Sequence, residues 1–337
     1  MERITTRLAA AAAVVGLAVL AAGCVRTGAA ATGTSPASAA SRALPSPFTI
    51  TANYTAKSLG LTQPESMAVG PDGDLYVTDL SQLVTVISPA GKVLRRWGKQ
   101  GAGPGEFNFI SNDPTDKRTV QESITVGSDG KVYVSDSGGA RVEVFTPQGN
   151  FVREFGSYGN GRGQFLRPFD LVVDSAGDVY VVDDEAETLS KFSPSGKLLW
   201  TIGGATSSQD LVGHFHVTSI DSHGRLVVVN DDQNKILYID QSGHVVDAFS
   251  PSTVGSSTGS VCEVSVDRSG NSYVSGCNNP GPTGPMLVYD RTHRLIAEWP
   301  GTITSLRRSP VFGPHDEVFA LATDGSILRL HITLPGA

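Results

Sequence analysis

Cysteine is scarce in this chain. Only three cysteines occur among its 337 residues, at positions 24, 262 and 277. The sequence also contains no Cys-x-x-Cys-His haem motif, no pair of metal ligands at zinc-binding spacing, no nucleophile elbow and no phosphate-binding loop. No short motif therefore assigns a required cofactor or a catalytic nucleophile.

Basic residues are outnumbered by acidic ones. The chain has 26 Lys and Arg against 33 Asp and Glu, which gives a formal net charge of -7. Proteins that bind nucleic acids are usually basic, because they neutralise backbone phosphates. We therefore expect no nucleic-acid partner, and we expect the chain to be a monomer.

Long apolar runs are absent after the first 22 residues. Arg3 and Arg7 precede an Ala-rich apolar stretch from Leu8 to Ala22, which is the pattern of a secretory signal and is too short to favour a permanent span. The sequence Ala21-Ala-Gly-Cys24 resembles a bacterial lipobox, with Ala21 where Leu is usual. The resemblance implies a lipoprotein signal peptide over residues 1–23 and acylation of Cys24, with palmitate as the expected chain. An ordinary signal peptide and a secreted protein are the alternative.

Residues 24–47 are predicted to be a tether. After Cys24 they are nearly all Ala, Ser, Thr, Gly and Pro, a composition that cannot bury a core. A flexible segment of this length spans about 25–30 Å. We therefore expect the remaining domain to stand off the outer face of the cytoplasmic membrane, in a bacterial cell envelope.

A module of roughly 46 residues recurs six times. A repeat of this length is a stronger indication of the fold than any local pattern. Its turn residue is Gly73, Gly130, Gly177, Gly224, Gly270 and finally Asp316, at steps of 46 to 57 residues. Each module holds four short β-rich runs separated by turn residues, with no helical pattern between them. Four-stranded antiparallel sheets at this period stack around an axis. The sequence therefore predicts an all-β fold, a six-bladed β-propeller with four antiparallel strands per blade.

The two ends of the chain are predicted to close this ring. The last module ends at its third strand, Ile327–Ile332, with only five residues left. At the other end of the chain, Asn53 to Gly60 aligns with fourth strands such as Val93 to Gly98. We expect this N-terminal strand to complete the last blade, so that residues 48–334 form the propeller without an exposed edge.

The modules resemble NHL repeats. Pro168 to Asp183 shows the pattern Pro-x-x-Leu-x-Val-Asp-x-x-Gly-x-Val-Tyr-Val-x-Asp, and a Gly-rich spacer follows the fourth strand. Two spacers share the same offsets, Gly98, Gly101, Gly103, Gly105 and Phe107 in one and Gly156, Gly159, Gly161, Gly163 and Phe165 in the other. The resemblance implies a propeller similar to the extracellular NHL sensor domains of bacteria. Such a domain would bind or sense a ligand.

Cys262 and Cys277 fall on the first and second strands of the fifth module. If the hairpin turns at Ser269-Gly270, these two cysteines lie directly opposite each other. Opposed residues of an antiparallel pair are within disulfide range, and an oxidising compartment favours the bond. We therefore predict a disulfide, with two buried free thiols as the alternative.

The mouth of the central channel is the predicted site, because the innermost strands of all blades begin there. Seven or eight residues before the turn residue, every module offers one ionisable group: Glu65, Glu122, Asp170, His216, Glu263 and Arg308. Such a ring could bind a ligand or an ion. The Asp residues that end the second strands, Asp79, Asp136 and Asp183, are instead interpreted as turn caps.

The function predicted from the sequence is a membrane-tethered binding or sensing module outside the cytoplasm, with a protein, peptide or glycan as ligand. Segments 108–120, 250–260 and 278–285 interrupt the repeat and would carry the recognition. The alternative is an enzyme, a metal-dependent lyase or lactonase with Ca²⁺ or Zn²⁺ at the channel mouth. A purely structural envelope protein is a third possibility. Fold alone does not decide among these classes.

Overall fold

The protein folds as a ring of six sheets. A computed structural model describes residues 46–109, 122–204, 211–251, 260–277, 286–299, 306 and 309–335. All of them belong to a unit that spans Ala43–Ala337. Its strands form six antiparallel sheets of four strands each. The predicted all-β, six-bladed propeller is confirmed.

The first three blades consist of consecutive strands. Blade one contains β2 (Pro64–Val69), β3 (Leu75–Asp79), β4 (Leu83–Ile87) and β5 (Val93–Trp97). Blade two contains β6 (Ile124–Val126), β7 (Val132–Asp136), β8 (Arg141–Phe145) and β9 (Phe151–Phe155). Blade three contains β10 (Pro168–Val173), β11 (Val179–Asp183), β12 (Thr188–Phe192) and β13 (Leu198–Gly203).

The other three blades complete the ring. Blade four contains β14 (Phe215–Ile220), β15 (Leu226–Asn230), β16 (Lys235–Ile239) and β17 (Val245–Phe249). Blade five contains β18 (Ser260–Val266), β19 (Ser272–Cys277), β20 (Met286–Tyr289) and β21 (Leu295–Trp299). Blade six contains β22 (Val311–Phe312), β23 (Val318–Leu321), β24 (Ile327–Ile332) and, from the other end of the chain, β1 (Phe48–Tyr54).

The closing strand differs in position from the prediction. The strand that pairs with β24 is β1, with Phe48 opposite Ile332 and Tyr54 opposite Ile327, rather than Asn53 to Gly60. The short helix α1 (Ala56–Leu59) occupies the end of the predicted strand, with Thr55 as its N-cap and Gly60 in the left-handed conformation after it. Closure by the N-terminus is confirmed, but the register was wrong because α1 buries Leu59 as a strand residue would.

The hydrophobic core lies between neighbouring blades. Tyr76 and Val84 of blade one, for example, pack in one cluster with Ile124 and Val132 of blade two. Side chains alternate along each strand, so every sheet gives one set of apolar residues to each neighbour. A blade therefore needs both neighbours to bury its two faces.

The turns between first and second strands of blades one to five are each held by an Asp carboxylate. In blade three, Oδ1 of Asp174 accepts hydrogen bonds from the N–H groups of Ala176 and Asp178, both at 2.9 Å. Gly177 in this turn has φ 82°, a conformation that costs glycine little. In blade six Asp316 takes the same position at φ 63°, which Asp tolerates better than most residues. This explains how the turn of blade six forms with Asp316 at the position that is glycine in the other five blades.

The predicted turn caps at the ends of the second strands are confirmed. Asp183 accepts hydrogen bonds from the N–H groups of Leu166 (2.6 Å), Arg167 (3.0 Å) and Ala186 (3.0 Å). Asp79 and Asp136 make equivalent bonds to the preceding connection, and Asp79 also caps the turn at Ser81. Each carboxylate therefore ties the connection from the previous blade to the loop that follows the second strand.

The expected opposition of Cys262 and Cys277 is wrong. Cys277 pairs with Ser260, and a bulge places Cys262 between Val261 and Glu263 without a partner residue in the ladder. The register shifted because a bulge adds one residue to the first strand. Cys262 is disulfide-bonded, but the side chain of Cys277 lies outside the described residues. Its identity as the partner stays a prediction.

No helix in the described part of the chain is long and apolar enough to cross a membrane.

Candidate functional site: the mouth of the central channel

A channel runs along the first strands of all six blades. It contains a cavity of about 300 Å³, and a second cavity of about 440 Å³ continues towards the turns between first and second strands. Ser66, Ser123, Asp170, Glu263 and Ser309 line the first cavity near the end where the first strands begin. We call this end the mouth, and the opposite end, with the Asp-x-x-Gly turns, the turn face.

Three of the predicted residues come together at the mouth from consecutive blades. His216 lies opposite Val229 and Glu263 lies opposite Ser275, and these partners stand one and two residues before the end of their second strands. Asp170 lies in the bulged part of β10, between the residues that pair with Asp183 and Val181. The bulges lie at different points along the three first strands. This explains why the three residues stand seven or eight positions before their turn residues and still lie at the same level of the channel.

Asp170 and His216 form a polar bridge between blades three and four. Nδ1 of His216 lies 2.8 Å from Oδ2 of Asp170, and the ring of Phe169 meets the imidazole edge to face at 5.3 Å. The carboxyl side chain is 6% exposed and the imidazole 21% exposed. The dyad is therefore anchored in the protein, while part of the imidazole remains open to a ligand.

The pKa of His216 is raised. Burial lowers it, but the hydrogen bond and the charge of Asp170, together with the charges of Asp231 and Glu263, raise it more strongly. A protonated imidazole offers two N–H donors and no lone pair for a metal ion. When His216 is protonated, this part of the mouth combines a cationic donor with the nearby carboxylates of Asp170, Asp231 and Glu263.

Glu263 bridges blades five and six. Its Oε2 atom accepts a hydrogen bond of 2.6 Å from the N–H group of Ser309, and Oγ of Ser309 lies 3.1 Å from Oγ of Ser275. The side chains that line the mouth thus also join neighbouring blades. This dual position holds them rigidly, as a preformed binding site requires.

The remaining predicted residues are placed differently. Glu65 and Glu122 are 1% and 0% exposed and do not line the cavity. Glu65 is the bulge residue of β2 and accepts a hydrogen bond of 2.7 Å from Nε2 of Gln63. Both glutamates are held inside the protein, so we assign them to the support of the site. Arg308 lies outside the described residues.

Asp231 belongs to the mouth, although the one-per-module pattern did not select it. It is half-buried, directly after the second strand of blade four, and its carboxyl pKa is raised by burial first and by Asp232, while His216 lowers it. His214 has a separate carboxylate partner, with Nδ1 at 3.3 Å from Oδ2 of Asp232. Only the fold shows that Asp231 and His216 interact, because Asp231 follows the second strand of blade four whereas His216 lies on the first.

No metal site is formed by the described residues. Among them, no group of three or more His, Cys, Asp or Glu side chains is arranged to hold a metal ion. The segments predicted to carry recognition, 108–120, 250–260 and 278–285, lie almost entirely outside the described residues. These segments join described strands at the mouth end of the propeller. In blade one this is the end at which Pro64, the first residue of the first strand, pairs with Asp79, the last residue of the second.

Sequence comparisons relate this chain to other propellers. A family model described as a six-bladed β-propeller, DUF5128, matches residues 115–209. The human protein named NHL repeat-containing protein 3 is 30% identical over 91 residues, which are 26% of this chain and 23% of the human protein. The match thus spans about a quarter of that relative's length.

Solved structures show the same fold at low sequence identity. A streptogramin B lyase superposes with a TM-score of 0.57 at 12% identity, covering 85% of this chain and 98% of its own. Virginiamycin B lyase from Staphylococcus aureus gives 0.55 at 13% identity, covering 85% and 100%. The Cps50 β-propeller domain from Myceliophteria thermophila gives 0.55 at 11% identity, also covering 85% and 100%. Because such different proteins share it, this similarity concerns the fold alone.

Proposed function

We propose that this chain, a six-bladed β-propeller of the NHL type, is a membrane-tethered binding or sensing module outside the cytoplasm. It would present the rim around its channel mouth to a protein, peptide or glycan. The observation that carries the proposal is the convergence of Asp170, His216 and Glu263 from three consecutive blades, where Asp170 and Glu263 line a cavity and His216 is hydrogen-bonded to Asp170. The fold supplies a rigid frame, and the side chains at the mouth supply the contacts.

The chemistry of the mouth favours a polar ligand. Carboxylates accept hydrogen bonds from amines, amides and hydroxyls, and a protonated His216 donates to carbonyl or hydroxyl oxygens. Peptides and glycans offer both kinds of group. Charge-assisted bonds of this type are the stronger ones, and the partial burial of Asp170 and His216 strengthens them further.

The first described strand enters the propeller at the end away from the mouth. Phe48, the first residue of β1, pairs with Ile332, the last residue of the third strand of blade six. Val93 and Ile87 form the equivalent pair in blade one, next to the turn that joins its third and fourth strands. The chain therefore enters the ring on the turn face.

Ligand binding can be tested with two variants of the mouth and one control. Purified protein would be screened against arrays of glycans and peptides, and hits quantified by calorimetry. We expect Asp170→Asn and His216→Gln each to weaken binding at least tenfold, while His223→Gln, at an exposed imidazole on the turn face, leaves it unchanged. Equal affinity of all four proteins would refute a ligand site at the mouth.

The second candidate function is an enzyme at the same mouth. A histidine held by a buried carboxylate is an arrangement suited to general acid–base catalysis, and two of the structurally similar proteins are lyases. A role for Ca²⁺ or Zn²⁺ gains no support from the described residues, because Asp170 and Glu263 are already hydrogen-bonded to His216 and Ser309. Stoichiometric metal in the purified protein that Glu65→Gln or Glu263→Gln abolishes would favour the enzyme over the binding module.

The anchor rests on Cys24. We expect Cys24→Ser to release the protein from the membrane fraction into the soluble fraction outside the cytoplasm, because an unacylated chain whose signal has been removed keeps only the polar tether before the propeller. Fractionation followed by immunoblotting would measure this. Continued membrane association of the variant would rule out a lipid anchor at this residue.

A further inference from the structure

The channel below the mouth is built in levels that the register of the strands defines. The last residue of each first strand pairs with the first residue of the second strand, as Val69 pairs with Leu75 in blade one. The residue before it pairs with the second residue of the second strand, as Ser265 pairs with Tyr273 in blade five. Equivalent residues of the six blades therefore stand at the same height around the axis.

The level farthest from the mouth is an apolar ring, which we call the collar. It consists of one branched or aromatic residue from each blade: Val69, Val126, Val173, Ile220, Val266 and Phe312. All six are partly exposed. All except Val173 line both the cavity of about 300 Å³ at the mouth and the cavity of about 440 Å³ at the turn face. The collar therefore lies where the two cavities meet and gives the mouth cavity an apolar boundary.

The level between the collar and the mouth carries neutral hydroxyl groups. Each blade again contributes one residue, and the six are Ala68, Thr125, Val172, Ser219, Ser265 and Val311. All of them line the mouth cavity, and none of them is charged. Thr125, Ser219 and Ser265 thus place hydroxyl groups in the wall of the cavity from blades two, four and five. We call this the middle level.

Two hydroxyl groups of the middle level have no hydrogen-bond partner among the described residues. Oγ of Ser219 and Oγ of Ser265 are both buried in this state, and Ser265 is 8% exposed. Buried polar groups without a partner are rare in native proteins, because leaving them unpaired is unfavourable. Since Ser219 and Ser265 stand at the same height in neighbouring blades, a single polar ligand in the cavity can serve both.

The charged side chains of the mouth are already engaged across the seams between blades. Asp170 is hydrogen-bonded to His216, and Glu263 accepts from the N–H group of Ser309. The ammonium or guanidinium group of a peptide would have to compete with these bonds, and at the middle level it would meet no carboxylate. A sugar ring instead brings hydroxyls that both donate and accept, as those of serine do, and apolar C–H groups between them. The cavity therefore favours a neutral sugar over a peptide.

We propose that the mouth cavity takes the terminal sugar of a glycan, whose hydroxyls bond to Ser219 and Ser265 and whose C–H groups pack against the collar. The inference rests on the proposed ligand site at the mouth and names its ligand class. Asp170 and His216 would contact the sugar at the entrance. A volume of about 300 Å³ lies at the lower end of the range of small-ligand pockets, which suits a single sugar residue rather than a longer part of the glycan.

The test uses the methyl glycosides of glucose, mannose, galactose, rhamnose and N-acetylglucosamine, with N-acetyl-leucine methylamide and N-acetyl-lysine methylamide as peptide probes. Binding of each probe to the purified protein would be measured by saturation-transfer difference NMR. We expect a glycoside to bind saturably and neither peptide probe to bind. The absence of glycoside binding would overturn the inference. If a peptide probe bound instead, and Asp170→Asn weakened it, the ligand site at the mouth would stand and only the sugar would be wrong.

Two substitutions locate the sugar in the channel. Ser265→Val narrows the middle level and removes a hydroxyl, so we expect it to weaken glycoside binding by about tenfold or more. The variant should fold, because Val172 and Val311 occupy the same level in blades three and six.

Ser219→Ala removes the second hydroxyl without adding volume and should weaken glycoside binding by about threefold to tenfold. Ser222→Ala, in the exposed turn of the same blade, is the matched control and should bind as wild type. A glycoside that Asp170→Asn weakens, but that both Ser265→Val and Ser219→Ala bind as wild type, would keep the ligand site at the mouth and overturn the insertion of the sugar into the channel.

Discussion

Nδ1 of His216 lies 2.8 Å from Oδ2 of Asp170, across the seam between two blades and 46 residues apart in the chain. Neither residue belongs to a motif, and the sequence around each one shows only a polar residue on a first strand. Together they place a hydrogen bond at the mouth of the channel, where it joins two blades and where Asp170 lines a cavity. Its strength should depend on pH in a defined direction.

The first prediction concerns the pH dependence of stability. Because the pKa of His216 is raised above 6.5 in the folded protein, its contribution is fully present below pH 6.5 and is lost as pH rises through the folded pKa. The difference in unfolding free energy between wild type and His216→Gln should therefore shrink between pH 6 and pH 9. Urea unfolding at several pH values measures it, with His223→Gln as the exposed control. A difference that stays constant over this range would show that the bridge does not involve a protonated imidazole.

The second prediction concerns the cap at Asp183. Asp183→Ala removes the acceptor of three backbone N–H groups, at Leu166, Arg167 and Ala186. Leaving buried donors without partners costs about 1–3 kcal/mol for each, and partial access to water reduces the sum, so we expect a loss of about 2–4 kcal/mol in urea unfolding. Asp183→Asn should lose about half as much, because an amide keeps one acceptor oxygen, as Oδ1 of Asn230 in blade four accepts from the N–H group of Gln233 while its Nδ2 donates to the carbonyl of Val212. Equal losses for the two variants would contradict this account.

The blade count and the turn chemistry were predictable because each module repeats them. Asp174 and Gly177 specify their turn through local sequence. Six similar turns at a nearly fixed period indicate a propeller. The closing strand was placed wrongly because Asn53 to Gly60 matches a strand pattern, whereas the cap at Thr55 favours a helical turn. The sequence signal of that cap, Thr followed by a short Ala-Lys-Ser-Leu segment, is visible but weak.

The candidate site was predictable in position but only partly in composition. The offset from the turn residue selected Asp170, His216 and Glu263, which the structure brings together, and also Glu65 and Glu122, which it buries apart from the cavity. For Glu65 the bulge of β2 contributes to this outcome, and a bulge of one residue leaves no clear mark in the sequence. Asp231 escaped the pattern because its proximity to His216 depends on the pairing of two strands.

The third prediction concerns Glu143 in blade two. This side chain is fully buried, and burial raises its pKa to about 7, against the opposing effects of the N–H group of Gly105 and of Arg141. The raised pKa means that stability falls as pH rises from about 4.5 through about 7. We expect Glu143→Gln to gain about 1–3 kcal/mol relative to wild type between pH 5 and pH 8. Glu154→Gln is the matched control, because Glu154 also pairs with Arg141, at 2.9 Å, but is 41% exposed. An identical pH profile of wild type and Glu143→Gln would refute the prediction.

The fourth prediction concerns the partner of Cys262. This residue stands at the bulge of β18, and Cys277 pairs with Ser260 close by on the adjacent strand. We expect non-reducing peptide mapping to recover one cross-linked peptide pair that contains both cysteines. A disulfide around so short a loop stabilises by about 2–4 kcal/mol, so Cys262→Ser should lower the free energy of unfolding by that amount. Reduction of the wild-type protein should have the same effect and should leave Cys262→Ser unchanged. Recovery of both cysteines alkylated without prior reduction would show that the bond does not form.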